Sequence, residues 1–318
     1  MRPTLLITGA AGYIGTELIK RLSENALVGK IIALDIRSVA QEDRVAGVTY
    51  DQADIRNAEF VDLIKKYKPH SIVHLASVVS AGGDPELDYS IDVLGTENVL
   101  KACVASGVKQ LVVTSSGAAY GYYADNPSWL KETDALRGND DFPYPRHKRL
   151  VEELLAEYRE TNPELKQLVL RPGTVLGAAT DNQITNLFAK PFMLKIAKSR
   201  SDFVFIWDED VISIIEKGVL EDKEGIYNLA GTGSLSANEI ARILNKSCLV
   251  LPAFVLGAAL NTSRFLKLGK LGAEHVKFIQ YRPVLDNKSL REDFGYTPQK
   301  TTREVFDFFI TNRDQGNT

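Results

Sequence analysis

Short apolar runs alternate with longer amphipathic segments through the first half of the chain. Five runs have the length of buried strands: Leu5–Thr8, Ile31–Leu34, Ile72–Leu75, Leu111–Thr114 and Leu168–Leu170. Segments with helical spacing of apolar residues lie between these runs, at Tyr13–Ser23, Ala58–Tyr67, Asp88–Ala105 and Pro145–Thr161. Strands that alternate with helices predict an α/β fold in which helices cover both faces of a parallel sheet.

The pattern loosens after Arg171. An aromatic run at Phe203–Trp207 precedes the acidic triplet Asp208–Asp210, and a helical pattern follows at Val211–Leu220. Acidic residues suit the first turn of a helix, but the triplet is equally compatible with an active-site role. A short strand at Ile226–Ala230 and a final amphipathic helix at Thr302–Thr311 complete the pattern, which predicts a second, smaller part of the molecule.

Composition narrows the class of protein. The 318 residues are 44% hydrophobic and 25% charged, which suits one large or two closely packed domains. A net charge of −3 gives no reason to expect a nucleic-acid partner. Two cysteines lack metal-ligand spacing and do not predict a disulfide framework.

Neither the first residues nor the apolar runs predict a secreted or membrane protein. The first residues lack the pattern of a signal peptide. The longest apolar stretch, Leu249–Leu260, has 12 residues and includes Pro252. A membrane-spanning helix takes about 20 residues. We therefore expect a cytoplasmic protein.

A glycine-rich turn follows the first strand and opens the first helix. In Thr8–Gly15, Gly9 suits a tight turn, Gly12 allows the backbone to approach a pyrophosphate, and Gly15 allows close packing of helix on strand. The helix N-terminus then offers free N–H groups to phosphate. The glycine spacing is GxxGxxG, so the strand-turn-helix context carries the prediction of a dinucleotide site.

An acidic residue ends the second strand. Asp35 lies 20 residues beyond Gly15, directly after Ile31–Leu34. A carboxylate there accepts hydrogen bonds from the adenosine ribose and repels a 2′-phosphate, which favours NAD over NADP. Nearby Arg37 weakens this preference because a guanidinium can accept a phosphate. The alternative for Asp35 is an ordinary loop carboxylate.

Tyr144 and Lys148 are four residues apart and share one face of a predicted helix. An ammonium beside the phenol stabilises the phenolate, so the tyrosine can exchange a proton with an alcohol or carbonyl while hydride moves. This spacing is common by itself. It gains weight because hydroxyls at Thr114, Ser115 and Ser116 follow a strand, where one of them can bond to the reacting oxygen.

With these motifs the chain resembles an extended short-chain dehydrogenase/reductase. It is most similar to the NAD-dependent epimerase/dehydratase family, in particular to UDP-glucose 4-epimerase-like members. The resemblance covers nearly the whole chain and rests on Thr8–Gly15, Asp35, Asp54-Ile55, His74–Ser77, Val93–Thr96, Thr114–Gly121, Tyr144–Lys148 and Arg171–Gly173.

The resemblance implies a set of cofactor-binding residues and a catalytic set. The cofactor set comprises Gly9, Gly12, Tyr13, Ile14 and Gly15 at the pyrophosphate, Asp35 with Arg37 at the adenosine ribose, Asp54 and Ile55 at the adenine, and Leu75, Ala76, Ser77, Thr114, Pro172 and Gly173 along the channel to the nicotinamide. In the catalytic set Ser116 orients the substrate hydroxyl, Tyr144 is the acid/base, and Lys148 tunes Tyr144 and holds the nicotinamide ribose. No metal is implied.

The resemblance also implies an architecture. We expect a Rossmann-type, doubly wound NAD-binding domain over residues 1–172 with about 203–222. A smaller C-terminal α/β domain for the substrate would comprise 173–202 and 223–318. Homodimerisation through the helices Asp88–Ala105 and Pro145–Thr161 is implied as well.

The implied reaction is hydride chemistry alone. Family members that eliminate water or release carbon dioxide need an extra carboxylate, whereas this chain has Gly117, Ala118 and Ala119 at the corresponding positions. An NAD-dependent epimerase of a nucleotide sugar is the leading hypothesis. An NAD(P)-dependent dehydrogenase or reductase of a non-nucleotide alcohol or carbonyl is the alternative. A non-catalytic redox-sensing protein is disfavoured by the complete Ser116, Tyr144 and Lys148 set.

Two departures from the family bear on the substrate. Asp92 and Thr174 stand where the family usually has asparagine. Asp92 either brings a negative charge close to the active site or caps the local backbone. Candidate cations for a substrate diphosphate are Lys190, Lys195, Arg264, Lys267 and Arg282. Arg282 is the best of them because it precedes Pro283 in a predicted loop, and the alternative for each is a solvated surface residue. The apolar segment 249–271 is expected to form a core or dimer helix pair, or else a lid over an apolar ligand.

Overall fold

The structure is a computed structural model that describes residues 2–78, 84–199, 201–267 and 272–313. Its strands are β1 Thr4–Thr8, β2 Lys30–Asp35, β3 Thr49–Gln52, β4 Ser71–His74, β5 Gln110–Thr114, β6 Lys166–Pro172, β7 Thr174–Leu176, β8 Phe192–Ile196, β9 Phe205–Trp207, β10 Gly225–Leu229 and β11 Ser247–Leu251. Seven of them form one parallel sheet in the order β10-β6-β5-β4-β1-β2-β3. Two short parallel pairs, β7 with β9 and β8 with β11, lie outside it.

Helices cover both faces of the large sheet, and others build the C-terminal part of the molecule. The helices of the described residues are α1 Tyr13–Ser23, α2 Phe60–Tyr67, α3 Pro85–Tyr89, α4 Gly95–Ser106, α5 Pro143–Thr161, α6 Gln183–Ala189, α7 Asp208–Leu220, α8 Ala237–Ile243, α9 Ala253–Phe265, α10 Val276–Gln280, α11 Lys288–Glu292 and α12 Thr302–Asn312. A π-helical turn, Ser90–Leu94, joins α3 to α4.

The continuous apolar runs are explained by burial on both faces. Along β1, Leu5 and Ile7 pack with α1 and α7, whereas Leu6 packs against α2 and α4 on the other face. Side chains alternate across a strand, so a sheet covered twice needs apolar residues at every position. The predicted doubly wound α/β fold is confirmed.

The sheet differs from the sequence-based expectation at its two edges. The strand β3 was not predicted because its polar residues lie at an edge and stay partly exposed. The strand β10 forms the opposite edge beside β6, although residues 223–318 were expected in the substrate-binding part. The predicted division into two domains otherwise stays a prediction.

The C-terminal part has its own aromatic core, in which Phe188, Phe203, Phe205 and Phe306 are fully or almost fully buried. The helix α9 does not belong to it. Only Gly257 of α9 is buried, while Phe254 is 78% exposed and Phe265 is 85% exposed. The expectation that this segment is a core helix is therefore wrong. Within the described residues, no helix is both long and apolar enough to cross a bilayer.

Candidate active site

The turn between β1 and α1 requires glycine for steric reasons. Gly9 has φ +70°, and a Cβ there would lie 2.6 Å from the backbone nitrogen of Ala76. A Cβ on Gly15 would lie 2.4 Å from the carbonyl oxygen of Gly9. Gly12 precedes α1, and no side chain caps its first N–H groups. Close backbone approach and uncapped N–H groups fit the pyrophosphate of a dinucleotide.

Asp35 ties the end of β2 to this glycine turn. Its carboxylate is buried and accepts a hydrogen bond from the backbone N–H of Ala11 at 2.9 Å. The other oxygen accepts from the backbone N–H of Arg37 at 2.9 Å and from its guanidinium Nε at 3.3 Å. Asp35 therefore stabilises the turn through hydrogen bonds and is not an ordinary loop carboxylate.

The residues predicted at the adenine have structural partners. Arg56 forms a close ion pair with Asp54 and holds the pKa of that carboxyl below its ordinary value. Ile55 is buried against Gly95, where an added Cβ would lie 2.6 Å from its Cδ1.

A cavity of about 420 Å³ lies beside the glycine turn. It brings together most of the predicted site residues: Gly9, Gly12, Tyr13, Ile14, Gly15, Leu75, Ser77, Thr114, Ser116, Tyr144, Lys148, Pro172 and Gly173. Five predicted residues lie outside its lining: Asp35, Arg37, Asp54, Ile55 and Ala76. The predicted catalytic set therefore meets the predicted pyrophosphate turn in one space.

Lys148 is held in place within this cavity. Its buried ammonium donates to the hydroxyl of Ser77 at 2.9 Å and to the carbonyl oxygen of Thr114 at 3.4 Å. It lies 5.8 Å from the ring centroid of Tyr144, one helical turn earlier on α5. The hydroxyl of Ser116 accepts from the backbone N–H of Ala118 at 3.1 Å, which fixes Ser116 at the cavity wall.

Asp92 fulfils both expectations that the sequence left open. One carboxylate oxygen accepts from the Ser77 hydroxyl at 2.9 Å and from the backbone N–H of Val78 at 2.8 Å. The other lies 3.6 Å from Nδ1 of His147, an ion-pair distance rather than a hydrogen bond. Burial opposes ionisation, but His147, Lys148 and the Val78 N–H hold the pKa of Asp92 below its ordinary value. A buried anion thus stands one hydroxyl away from Lys148.

His74 is a structural hydrogen-bonding residue at the end of β4. Its Nε2 lies 3.0 Å from the hydroxyl of Thr96, whose proton goes to the carbonyl oxygen of Asp92. His74 Nε2 is therefore the donor, and Nδ1 accepts from the Thr8 hydroxyl at 2.7 Å. Burial, together with the Lys148 charge, lowers the pKa of His74 to about 4 and keeps the ring neutral.

A buried ion pair behind the catalytic helix was not predicted. The guanidinium of Arg171 on β6 contacts both carboxylate oxygens of Glu152 on α5, at 2.6 to 3.0 Å. Glu152 also accepts from the Ser115 hydroxyl at 2.6 Å, and Arg171 donates to the Tyr120 hydroxyl at 2.8 Å. The signal available in the sequence was the position of Glu152, one helical turn beyond Lys148 on the same face.

Arg282 also lines this cavity. It is the cation that the sequence analysis selected as the best candidate to bind a substrate diphosphate. Its guanidinium carbon is 4.0 Å from the ring centroid of Phe203 and 4.5 Å from that of Phe278. Its Nε is buried and has no hydrogen-bond partner within the described parts of the chain. Burial lowers its pKa to about 10, so the cation persists at neutral pH.

The other candidate cations separate into two groups. Lys195 lines a small cavity next to Arg282, whereas Lys190, Arg264 and Lys267 line neither that space nor the main cavity. Asp202, which the sequence did not single out, lines both. The expected lid over a ligand is not supported, because no described residue of segment 249–267 lines the main cavity.

The acidic triplet at the start of α7 has structural partners. The Tyr13 hydroxyl donates to Asp208, and Arg21 forms an ion pair with Glu209. Asp210 accepts from the Tyr296 hydroxyl at 2.7 Å. Of the two interpretations left open by the sequence, these contacts support a structural role.

Residues 5–216 match a protein family described as the NAD-dependent epimerase/dehydratase family. The chain belongs to this family. Membership confirms the predicted class, an NAD-dependent enzyme of the extended short-chain dehydrogenase/reductase type, and its cofactor, NAD.

The individual relatives share only a small fraction of identical residues with this chain. An uncharacterized protein of Mycobacterium tuberculosis is 25% identical over 315 residues, which cover 97% of this chain and 84% of the relative. A UDP-glucose 4-epimerase of Erwinia amylovora is 28% identical over 227 residues, 65% of each chain. The solved structure of a Thermotoga maritima UDP-glucose 4-epimerase with UDP-glucose is similar in fold, with TM-score 0.75, 18% identity and coverage of 99% and 100% of the two chains.

Proposed function

We propose that the protein is an NAD-dependent epimerase of a nucleotide sugar. The observation that carries the proposal is Arg282, a partly buried cation that lines the same cavity as Tyr144 and Lys148 and whose buried Nε has no hydrogen-bond partner among the described residues. A buried N–H donor without a partner is costly, and hydrogen bonds from the guanidinium to a diphosphate would offset that cost. The similar Thermotoga maritima enzyme was solved with UDP-glucose, whose diphosphate has this chemistry.

The catalytic residues would work as one unit on a sugar hydroxyl. The Tyr144 phenolate, which the Lys148 ammonium stabilises, takes the hydroxyl proton as the hydride leaves, and the resulting phenol returns the proton to the oxygen when the hydride comes back. Ser116 at the cavity wall orients the reacting oxygen. NAD, when bound, accepts the hydride and returns it. Return to the opposite face of the same carbon inverts the centre without net change in the cofactor.

The wall next to Ser116 supports hydride chemistry without elimination. Gly117, Ala118 and Ala119 form a buried turn that offers no carboxylate. A Cβ on Gly117 would lie 2.9 Å from Leu285, so this turn leaves no space for a larger side chain without rearrangement. A dehydratase needs an acid or base at this place.

A second candidate function is an NAD(P)-dependent dehydrogenase or reductase of a non-nucleotide substrate. The aromatic wall of the cavity favours it, since Tyr122, Phe142, Phe203 and Phe278 would suit an apolar alcohol or carbonyl. Thr174 lines the cavity where family members usually carry an amide.

The test is carried out on the protein as isolated. It is denatured, released nicotinamide is identified, and NADH is followed during incubation with UDP-hexoses. Stoichiometric NAD and interconversion of hexoses without net NADH are expected. An empty site and no turnover of any UDP-hexose would refute the proposal and favour the dehydrogenase on a small alcohol or carbonyl.

We further infer a homodimer through α4 and α5. Leu94, directly before α4, and Leu87 on α3 are large exposed apolar side chains that a partner helix pair would cover. A cytoplasmic location stays a prediction of the sequence.

A further inference from the structure

The outward face of α9 is apolar. Phe254 and Phe265, three turns apart, are almost fully exposed, and Val255 and Leu266 beside them are exposed as well. Ala258, Ala259 and the polar Thr262 are exposed as well and complete this face, which bears no charge. The opposite side of the helix packs on the segment 272–280, where Gly257 contacts Ala273 and Val276.

The apolar surface continues onto the neighbouring strand pair. Leu249 and Val250 on β11 are exposed, and so is Phe192 at the start of β8, opposite Ser247. We call these residues and the outward residues of α9 the α9 face. It contains seven of the thirteen large apolar side chains that are exposed within the described residues, so it is a patch and not a scatter of single residues.

Positive charge is concentrated in the two segments that build this face. Residues 182–201 and 240–273 contain nine lysines and arginines and no aspartate or glutamate. The remaining 29 cations share the rest of the chain with all 41 acidic residues. Lys190, Lys198, Arg242, Arg264 and Lys267 are exposed. Acidic residues flank both segments directly, at Asp181, Asp202, Glu239 and Glu274. The segments that build the face nevertheless carry only positive charge in a protein of net charge −3.

We propose that the α9 face binds the surface of a lipid bilayer that carries anionic headgroups. The helix would lie in the plane of the interface, with Phe254 and Phe265 inserted below the headgroups and the surrounding cations among them. The 13-residue helix is too short to span a bilayer but long enough to lie on one.

Two other occupants fit the face less well. A second copy docked through it would bring two basic surfaces together, and like charges at close range oppose association. A nucleic acid would neutralise the cations but would leave the exposed leucine, valine and phenylalanine side chains without an apolar partner.

The α9 face is separate from the catalytic cavity. No residue of the face lines that cavity, yet α10, on which α9 packs, contributes Phe278 to the cavity wall. Binding to a bilayer would therefore leave the cavity formed and hold it close to the membrane surface. The proposal holds whether or not the substrate is a nucleotide sugar.

Flotation of the full chain with vesicles tests the proposal. Two compositions are compared, phosphatidylcholine alone and phosphatidylcholine with about 30% phosphatidylserine. Binding to the anionic vesicles is expected at about 0.1 M NaCl and should weaken strongly at about 0.5 M. The double substitution Phe254→Ser with Phe265→Ser should lower the partition coefficient about tenfold or more.

A matched control replaces an exposed apolar residue elsewhere. Leu27 is 65% exposed and lies outside the face, so Leu27→Ser should bind vesicles like the wild type. Equal melting temperatures and equal NAD binding show that the variants are folded. Absence of binding to both vesicle types, or unchanged binding of the double variant, would overturn the proposal. So would a monomer–dimer equilibrium that shifts in the double variant without any vesicle binding, because the face would then join two copies.

Discussion

The two sides of the cavity differ in how completely their polar groups are paired. On the side of the large sheet, Asp35, Asp92, His74 and Lys148 each have hydrogen-bond or ion-pair partners within the protein. On the C-terminal side the Arg282 Nε is buried without a partner among the described residues. On the sheet side the buried His147 Nδ1 also has no hydrogen-bond partner within the described residues, but it lies 3.6 Å from the Asp92 carboxylate. The contrast is therefore between charged side chains that have partners within the protein and a cation that faces the cavity.

This contrast fits the proposed function. A dinucleotide cofactor can be bound by side chains that the protein itself holds in place, whereas a cation that binds a diphosphate has its charge balanced only when the substrate is present.

The largest effect is expected from the buried ion pair behind α5. Replacing Glu152 by leucine leaves the Arg171 guanidinium buried without its anion and should lower the free energy of unfolding by about 3–5 kcal/mol. Urea unfolding followed by circular dichroism measures it. The double variant Glu152→Leu with Arg171→Met should recover much of the loss, and a single variant that loses less than about 1 kcal/mol would contradict the prediction.

The next effect is a dependence of stability on pH that arises from His74. The ring takes up a proton near pH 6.5 in the unfolded chain but only near pH 4 in the folded one. The contribution of neutral His74 is therefore complete above pH 6.5 and is lost as the pH falls to about 4, by up to about 3 kcal/mol.

Comparison of the wild type with His74→Asn at several pH values isolates the contribution of His74 to stability, since the other titrating groups are common to both proteins. The difference between their free energies of unfolding should change between pH 6.5 and 4 and stay flat above pH 7. A constant difference over the whole range would show that His74 does not resist protonation.

Tyr144→Phe removes the proposed acid/base and keeps the shape of the ring. Turnover should fall by about 100-fold or more, which corresponds to about 2.7 kcal/mol. NAD binding should be retained, because the glycine turn is untouched. Tyr123→Phe changes a tyrosine that does not line the cavity and serves as the matched control. Near-normal turnover of the Tyr144 variant would exclude the proposed mechanism.

The smallest effect is expected at the C-terminal side of the cavity, where we propose that the substrate binds. Arg282→Met should weaken the binding of UDP about tenfold while leaving NAD binding unchanged, as calorimetric titration of each ligand would measure. The exposed Lys267, outside the cavity, offers the control Lys267→Met. Equal UDP affinity in all three proteins would mean that Arg282 does not bind the diphosphate. The difference between the two sides of the cavity would then have no bearing on substrate binding.

The sequence predicted the buried strands and the glycine turn better than the edge strand and the buried polar pairs. Buried strands and the glycine turn have strong local signals, because a two-sided sheet requires continuous apolar runs and the turn requires residues without a Cβ. The edge strand Thr49–Gln52 has no such signal, since its pairing with β2 is decided by tertiary contact. The pairing of Asp92 with Ser77 and of Glu152 with Arg171 joins residues distant along the chain, which periodicity does not reveal.

The position of β10 has a consequence for how this molecule can change over time. This strand pairs with β6, although the chain between them first builds β7, α6, β8, β9 and α7. The excursion from 173 to 224 thus leaves the sheet and returns to it at adjacent strands. Insertions and deletions within it can alter what the cavity accepts while both ends stay anchored, so new specificities can arise without any redesign of the sheet.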